Sequence, residues 1–275
     1  MSPVQLELGS SSFACDLSAL AGFPLTHRGG EPAPEPGFVA EESLTRPLGA
    51  LAGVAPSVDA ADSTIAYWML NGLRAPSLAI APSALRYELT GFSGARPGDE
   101  LPKSLGHVHA TPHGAVHGYP EIIEVLHGRI AFMVFDLRTT SAGAVGDRAW
   151  LVVGDPGDAI VLPPDLHHLT IVVDRGPAIF ADVIDRGATG DYEQLRAAGG
   201  GPHLARPNGA IEANPRWAQH PPLEVLTALE WNGAAPLDRP LGRTLADAPE
   251  RLAWLSDPDR FAERFPALAA RISLA

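Results

Sequence analysis

Apolar residues along this chain come in short runs and not in long stripes. From Ile65 onward, segments of four to eight residues rich in Val, Ile, Leu, Phe and Tyr recur, with turn residues between them. Residues 65–70, 85–92, 121–126, 130–137, 150–153, 159–162, 170–173 and 178–184 are each predicted to form a strand. No strand–helix–strand rhythm and no repeat of 20–50 residues accompanies them, so their close spacing predicts a sandwich or a barrel. Helical spacing appears only outside this block. Residues 191–198 predict a short helix stopped by Gly199. Near the end, Asp257-Pro258 pairs an N-capping residue with a proline suited to the first helical position. Phe261, Phe265, Leu268 and Ile272 follow at helical spacing and are read as core or dimer packing, with Pro266 expected to kink or split the helix.

The flanks are less regular. Residues 4–8 alternate and predict one short strand. The stretch from Gly22 to Asp62 is rich in Pro, Gly and Ala without periodicity and reads as an irregular arm, while residues 200–222 read as a Pro-rich surface wrap. The expected organisation is an N-terminal arm over 1–62, a barrel over 63–200 and a C-terminal extension with short helices over 201–275.

Composition narrows the class. At 45% hydrophobic and 19% charged, the 275 residues belong to a folded chain long enough for one large barrel with appended segments. The 28 glycines and 27 prolines argue for many turns and against a helical bundle. A net charge of −12 argues against nucleic acid as a partner, because its phosphates need clustered Lys and Arg. A local pocket can still accept an anionic small molecule. Cys15 is the one cysteine, so no intrachain disulfide forms and no oxidising compartment is indicated; it reads as a small packing residue. The first twenty residues lack a basic stretch followed by an apolar core, and no window approaches the ~18 apolar residues of a membrane span. A cytoplasmic location with no membrane partner is therefore expected.

Candidate chemistry concentrates in two stretches. The first is Gly106-His107-Val108-His109, followed by Glu121 and Gly128; the second runs from Gly157 through Pro163-Pro164 to His167-His168. Residues i and i+2 of a strand share a face, so His107 and His109 can share one cation. Glu121 opens an apolar strand on the face of Ile123 and Val125, where a carboxylate needs a cation or a proton. His168, on a later strand, can approach from the opposite wall. Three imidazoles and one carboxylate suit a divalent transition metal (Mn, Fe, Ni or Zn) and suit Ca or Mg poorly. On an octahedral ion, four ligands leave about two positions for water or substrate. Singly, a His-x-His pair reads as surface histidine and His168 as a loop residue; the combination carries the metal reading. His167 is expected to face away from His168, toward solvent or a supporting position. His113 and His117, in the connector before Glu121, read as exposed residues or as helpers at the pocket mouth.

The order His-x-His, Glu, Gly, then Gly, Pro, His is that of the two cupin motifs, which implies an all-β cupin (a double-stranded β-helix, or jelly-roll barrel). The sequence resembles more narrowly the cupin-type, archaeal-style glucose-6-phosphate isomerases. The matching text is Lys103-Ser-Leu-Gly-His-Val-His109, Pro120-Glu-Ile-Ile-Glu-Val-Leu-His-Gly128, Val161-Leu-Pro-Pro-Asp-Leu-His-His168 and Gly190-Asp-Tyr192, with Ala66-Tyr-Trp-Met-Leu before them. By position, the resemblance implies His107, His109, Glu121 and His168 as metal ligands. It places Tyr67, Thr90, Ser104 and Gly106 where a sugar phosphate is held, with Lys103, just before the metal strand, as a further substrate contact and Tyr192, at the pocket edge, as a candidate catalytic residue. Either of the last two could instead be structural, Lys103 as a solvated strand end and Tyr192 as packing on the barrel.

The implied activity is aldose–ketose isomerisation of glucose 6-phosphate and fructose 6-phosphate through a metal-stabilised enediolate, with Glu121 as candidate base, in a homodimer. Another sugar phosphate or metabolite, a non-haem iron oxygenase reaction, or sugar binding without turnover remain alternatives. Departures cluster at the substrate end: Gly190 stands where histidine is common, Ile184 and Ile123 where tyrosines are expected, and Asn71 in place of an arginine.

Overall fold

The computed structural model describes residues 4–74, 84–233 and 237–274. Each segment predicted as barrel strand forms one. The strands Ala159–Leu162, Glu121–His127, Ala178–Asp185, Leu85–Phe92, Ile65–Asn71 and Glu42–Pro47 lie side by side in one six-stranded sheet. A second sheet holds His167–Val172, Ile130–Phe135, Ala149–Gly154 and Leu223–Thr227. Every pairing in the two sheets is antiparallel except Ala149–Gly154 with Leu223–Thr227. The Gly128-Arg129 turn does not close a hairpin. It turns the chain from the six-stranded sheet into the four-stranded one, and Gly128 takes the left-handed conformation (φ 68°) that this corner needs. The Pro163-Pro164 corner makes the same crossing between Ala159–Leu162 and His167–Val172. Winding alternately through two sheets in this way makes the cupin barrel.

Period-two alternation decides what each strand shows the interior. Along Leu85–Phe92, Arg86, Glu88 and Thr90 line the central cavity, while Leu85, Tyr87 and Leu89 point outward into the hydrophobic core. Phe180, Asp182 and Ile184 of the neighbouring strand repeat the pattern. Both faces of the six-stranded sheet are covered, which is why Ala178–Asp185 is buried at every position and reads as a near-continuous apolar run.

The expected irregular arm is corrected. Ala14–Asp16, Leu25–Arg28 and Glu31–Pro34 form a three-stranded antiparallel sheet over the outer face of the barrel. Pro32 and Pro34 sit on its edge strand, where a missing N–H costs no ladder bond. The approach is close: a Cβ on Gly91 would lie 1.9 Å from the Gly30 carbonyl oxygen. The boundaries expected at residues 62 and 200 cut through sheets, because Glu42–Pro47 pairs with Ile65–Asn71 and Leu223–Thr227 pairs with Ala149–Gly154.

Residues 200–222 are likewise more than a wrap. They hold the strands His203–Ala205, Ala210–Ala213 and Trp217–Gln219, and Trp217 is buried. Only Val4–Gln5 of the predicted first strand forms a ladder, with Ala210–Ala213. The helix Glu193–Ala198 ends on Gly199 (φ 72°) as expected. Pro266 splits the last helical region into Phe261–Arg264 and Pro266–Ile272, and Phe261, Phe265, Leu268 and Ile272 are all buried in the main core. No helix among the described residues is long and apolar enough to cross a membrane.

Glu124 shows how the C-terminal helices dock. It points away from the cavity, is buried, and accepts the Leu241 N–H at 2.7 Å where the helix Leu241–Asp247 begins. Burial pushes its carboxyl up to about 7 from an ordinary 4.5. The folded chain then holds a proton that the unfolded chain has released, so this group's contribution to stability falls as pH rises from about 4.5 to 7. Glu124→Gln removes that slope. Its stability relative to the parent should rise by up to about 3 kcal/mol across this window in urea melts at stepped pH; a flat difference would show that Glu124 ionises normally.

Candidate metal centre

The backbone brings the histidines together before their side chains do. His107 and His168 exchange both main-chain hydrogen bonds, at 3.0 and 2.9 Å, which sets their rings 4.5 Å apart. His109, two residues on, shares the face of His107, and the two Nε2 atoms lie 3.0 Å apart. That is the spacing of about 3.0 Å expected for two nitrogens at right angles on one ion with bonds of about 2.1 Å. Glu121 Oε2 stands 3.6 Å from His109 Nε2 and 3.8 Å from His168 Nε2.

The far side of two rings is anchored. His109 Nδ1 donates to the Tyr119 carbonyl at 3.0 Å and His168 Nδ1 to that of Leu166 at 3.3 Å, which aims both Nε2 lone pairs inward. His168 Nε2 is buried without a hydrogen-bond partner. Burial holds His107 and His168 well below the ordinary imidazole range and His109 at about 4, so all three are neutral at neutral pH. An orphaned buried nitrogen, neutral imidazoles and a facing carboxylate fit a transition-metal ion.

Around this cluster the cavity is lined by Tyr67, Thr90, Ser104, Gly106 and Tyr192 among others. Tyr67 Oη accepts the Leu105 N–H at 3.3 Å, and Ser104 Oγ accepts that of Thr170 at 2.9 Å. Gly106 (φ 78°) has no room for a side chain, since a Cβ would lie 2.5 Å from Leu195. Gly190, at the position where histidine is common, is closed in the same way: a Cβ there would lie 2.9 Å from the His107 ring.

Lys103 is a correction. It is neither a solvated strand end nor a substrate contact: its ammonium is buried outside the cavity, 2.7 Å from Glu100 Oε2 and 2.8 Å from the Val54 carbonyl. His167 faces away from His168 as expected, yet it is buried against Phe135 and not solvated. His113 is exposed, and His117 is tied to Asp165 at 2.6 Å; neither lines the cavity.

Four charged lining residues escaped the sequence reading: Arg46, Arg86, Glu88 and Asp182. Asp182 pairs in register with Glu88 across the ladder and lines the same cavity as Glu121. Burial, then the Glu88 charge, push Glu121 up to about 8, while Asp182 and Arg86 oppose the rise. Arg86 Nε lies 2.5 Å from Glu88 Oε1 and balances part of this acidic group. An aspartate in the middle of the apolar run Ala178–Asp185 was the available signal, since a buried carboxylate needs a partner.

His168→Ala should weaken divalent-metal binding by at least about 100-fold, because even residues that only support a ligand cost 10–100-fold. Metal titration of the stripped protein, with circular dichroism to verify folding, checks this. Affinity equal to the parent's would remove His168 from the ligand set.

Among solved structures, the chain is similar to an oxalate decarboxylase from Bacillus subtilis, with 14% identity over 55% of this chain and 29% of that one (TM-score 0.31). It is similar to a cupin 2 conserved barrel domain protein from Rhodopseudomonas palustris, with 14% identity over 45% and 63% (TM-score 0.27). A third is FeII HppE, with 15% identity over 43% and 50% (TM-score 0.28). The chain covers less than two thirds of each of these structures. No curated protein sequence matches it. A family model described as Glucose-6-phosphate isomerase (GPI) matches residues 57–218, which is more than half of the chain and includes all four candidate ligands. The chain belongs to the glucose-6-phosphate isomerase family, in its cupin form.

Proposed function

We propose that this chain is a metal-dependent aldose–ketose isomerase of a sugar phosphate, with glucose 6-phosphate and fructose 6-phosphate as the substrate pair. The observation that carries this reading is the convergence of His107, His109, His168 and Glu121 in a hydroxyl-lined cavity, within the region matched to the family. A divalent cation held by these four residues would supply positive charge where negative charge develops on the sugar oxygens of an enediolate. Tyr67, Thr90 and Ser104 offer hydroxyls for phosphate oxygens, and Arg46 and Arg86 add positive charge to the same cavity. Glu121 is positioned to take a proton from one carbon and return it to the next. Asp182, buried in the same cavity and held above the ordinary carboxylate range by burial and by the Glu88 and Glu121 charges, offers that proton a second resting place. Tyr192, packed on the His107 ring at 5.3 Å, would close the pocket edge.

The test is an isomerisation assay in both directions with the stripped protein reconstituted with Mn, Fe, Ni or Zn. Turnover of the pair, lost on chelation and restored by one of these ions, is the expected result. Absence of turnover with each ion would overturn the proposal. A second reading, isomerisation of a different sugar phosphate, is favoured by Ile123 and Ile184, which leave apolar wall where the family carries tyrosines. A panel of aldose and ketose phosphates separates the two through kcat/KM.

A further inference from the structure

A second group of metal-binding side chains lies outside the barrel cavity. Cys15 and His27 face each other as register partners across the strands Ala14–Asp16 and Leu25–Arg28, and His127 ends the barrel strand Glu121–His127. Cys15 Sγ lies 3.2 Å from His27 Nε2 and 3.5 Å from His127 Nδ1, and the three ligand atoms fall within 4.8 Å of one another. A tetrahedral zinc ion with a Zn–S bond of about 2.3 Å and a Zn–N bond of about 2.0 Å sets sulfur and nitrogen about 3.5 Å apart. His127 Nε2 donates to the Ser12 carbonyl at 2.8 Å, which leaves the Nδ1 lone pair aimed at Cys15. His27 is buried, and its Nδ1 accepts the Gly30 N–H at 3.4 Å, a weak bond that gives way when the ring proton sits on Nδ1 and leaves Nε2 free for an ion.

We propose that Cys15, His27 and His127 form a second metal site, for a zinc-class ion with solvent in the fourth position, which clips the N-terminal sheet to the barrel. One thiolate and two imidazoles are a borderline-soft donor set that suits zinc and excludes calcium and magnesium. The group mirrors the barrel centre in one respect: in both, a main-chain carbonyl orients an imidazole toward the shared point. The strands that supply the ligands are 112 residues apart in sequence, so an ion here would tie together parts of the chain that no neighbouring covalent link joins.

The test uses the full-length chain, stripped of metal and titrated with zinc and then with cobalt as a spectroscopic probe. Two zinc ions per chain are expected for the parent, one for Cys15→Ser and one for His168→Ala. Cobalt-loaded His168→Ala protein should show a thiolate-to-cobalt charge-transfer band that disappears in the Cys15→Ser/His168→Ala double variant. Cys15 is the only cysteine, so such a band has no other source. Should the Cys15 variant fail to fold, the parent still decides: saturating zinc should slow alkylation of Cys15 at least tenfold. A cobalt-loaded protein without the band, or alkylation unaffected by zinc, overturns the proposal. A metal-loaded parent that shows the Cys15 band yet turns over no sugar phosphate would instead count against the isomerase reading of the barrel centre and leave this site standing.

Discussion

Glu121→Gln protein that retains its metal should isomerise sugar phosphate about 10²–10⁴-fold more slowly than the parent, the range typical of a lost general base. Glutamine keeps the volume of the side chain and one oxygen facing His109 and His168, but it cannot accept a proton. The parent carboxylate has reason to be basic: burial, then the charge of Glu88, push it up to about 8 before any cation is added, against the opposing pull of Asp182 and Arg86. A cation draws that value down, so the group works best with its second oxygen free of the ion. The loss should appear in kcat and equally in kcat/KM, as expected for an interaction made in the transition state. Elemental analysis of the variant must accompany the kinetics. Parent-like turnover with metal in place would exclude proton transfer through Glu121 and favour a hydride shift between the two carbons.

Lys103→Met should destabilise the fold by about 3–5 kcal/mol, the usual cost of leaving one partner of a buried ion pair alone. Lys103 and Glu100 are 5% and 3% exposed, and their 2.7 Å contact is shared with the Val54 carbonyl. Burial lowers the Lys103 ammonium from its ordinary range, and Glu100 pulls it back up. Methionine fills the space of the stem yet leaves Glu100 without its cation. Denaturant melts should show the loss, and kinetics under folding conditions should show an unchanged KM. The Lys103→Met/Glu100→Leu double variant should regain most of the stability, because both charges then leave together. A raised KM with unchanged stability would return Lys103 to the substrate site.

The barrel was legible because its strands carry period-two apolar patterns with turn residues between them. The four candidate ligands were legible because a His-x-His pair on a strand and a carboxylate among apolar neighbours both call for a cation. Glu31–Pro34 was not legible, since two prolines in four residues argue against a strand, and only an edge position makes them harmless. Arg46 was missed for a related reason. It lies on the mostly exposed edge strand Glu42–Pro47 and reads as a solvated charge until pairing with Tyr67 turns it toward the cavity. Lys103 was misjudged because a lone cation before a ligand motif suggests substrate, whereas its partner, Glu100, sits three residues upstream and out of the pocket.

The parallel pairing of Leu223–Thr227 with Ala149–Gly154 sets an order for assembly. Trp150 Nε1 donates to Glu224 Oε2 at 3.1 Å, a contact between residues 74 apart, so a central barrel strand waits through that length of synthesis with one edge open. A chain halted before residue 223 would expose that apolar edge to any neighbour able to add a strand. Termination before residue 223 should therefore give insoluble aggregates rather than a smaller folded protein.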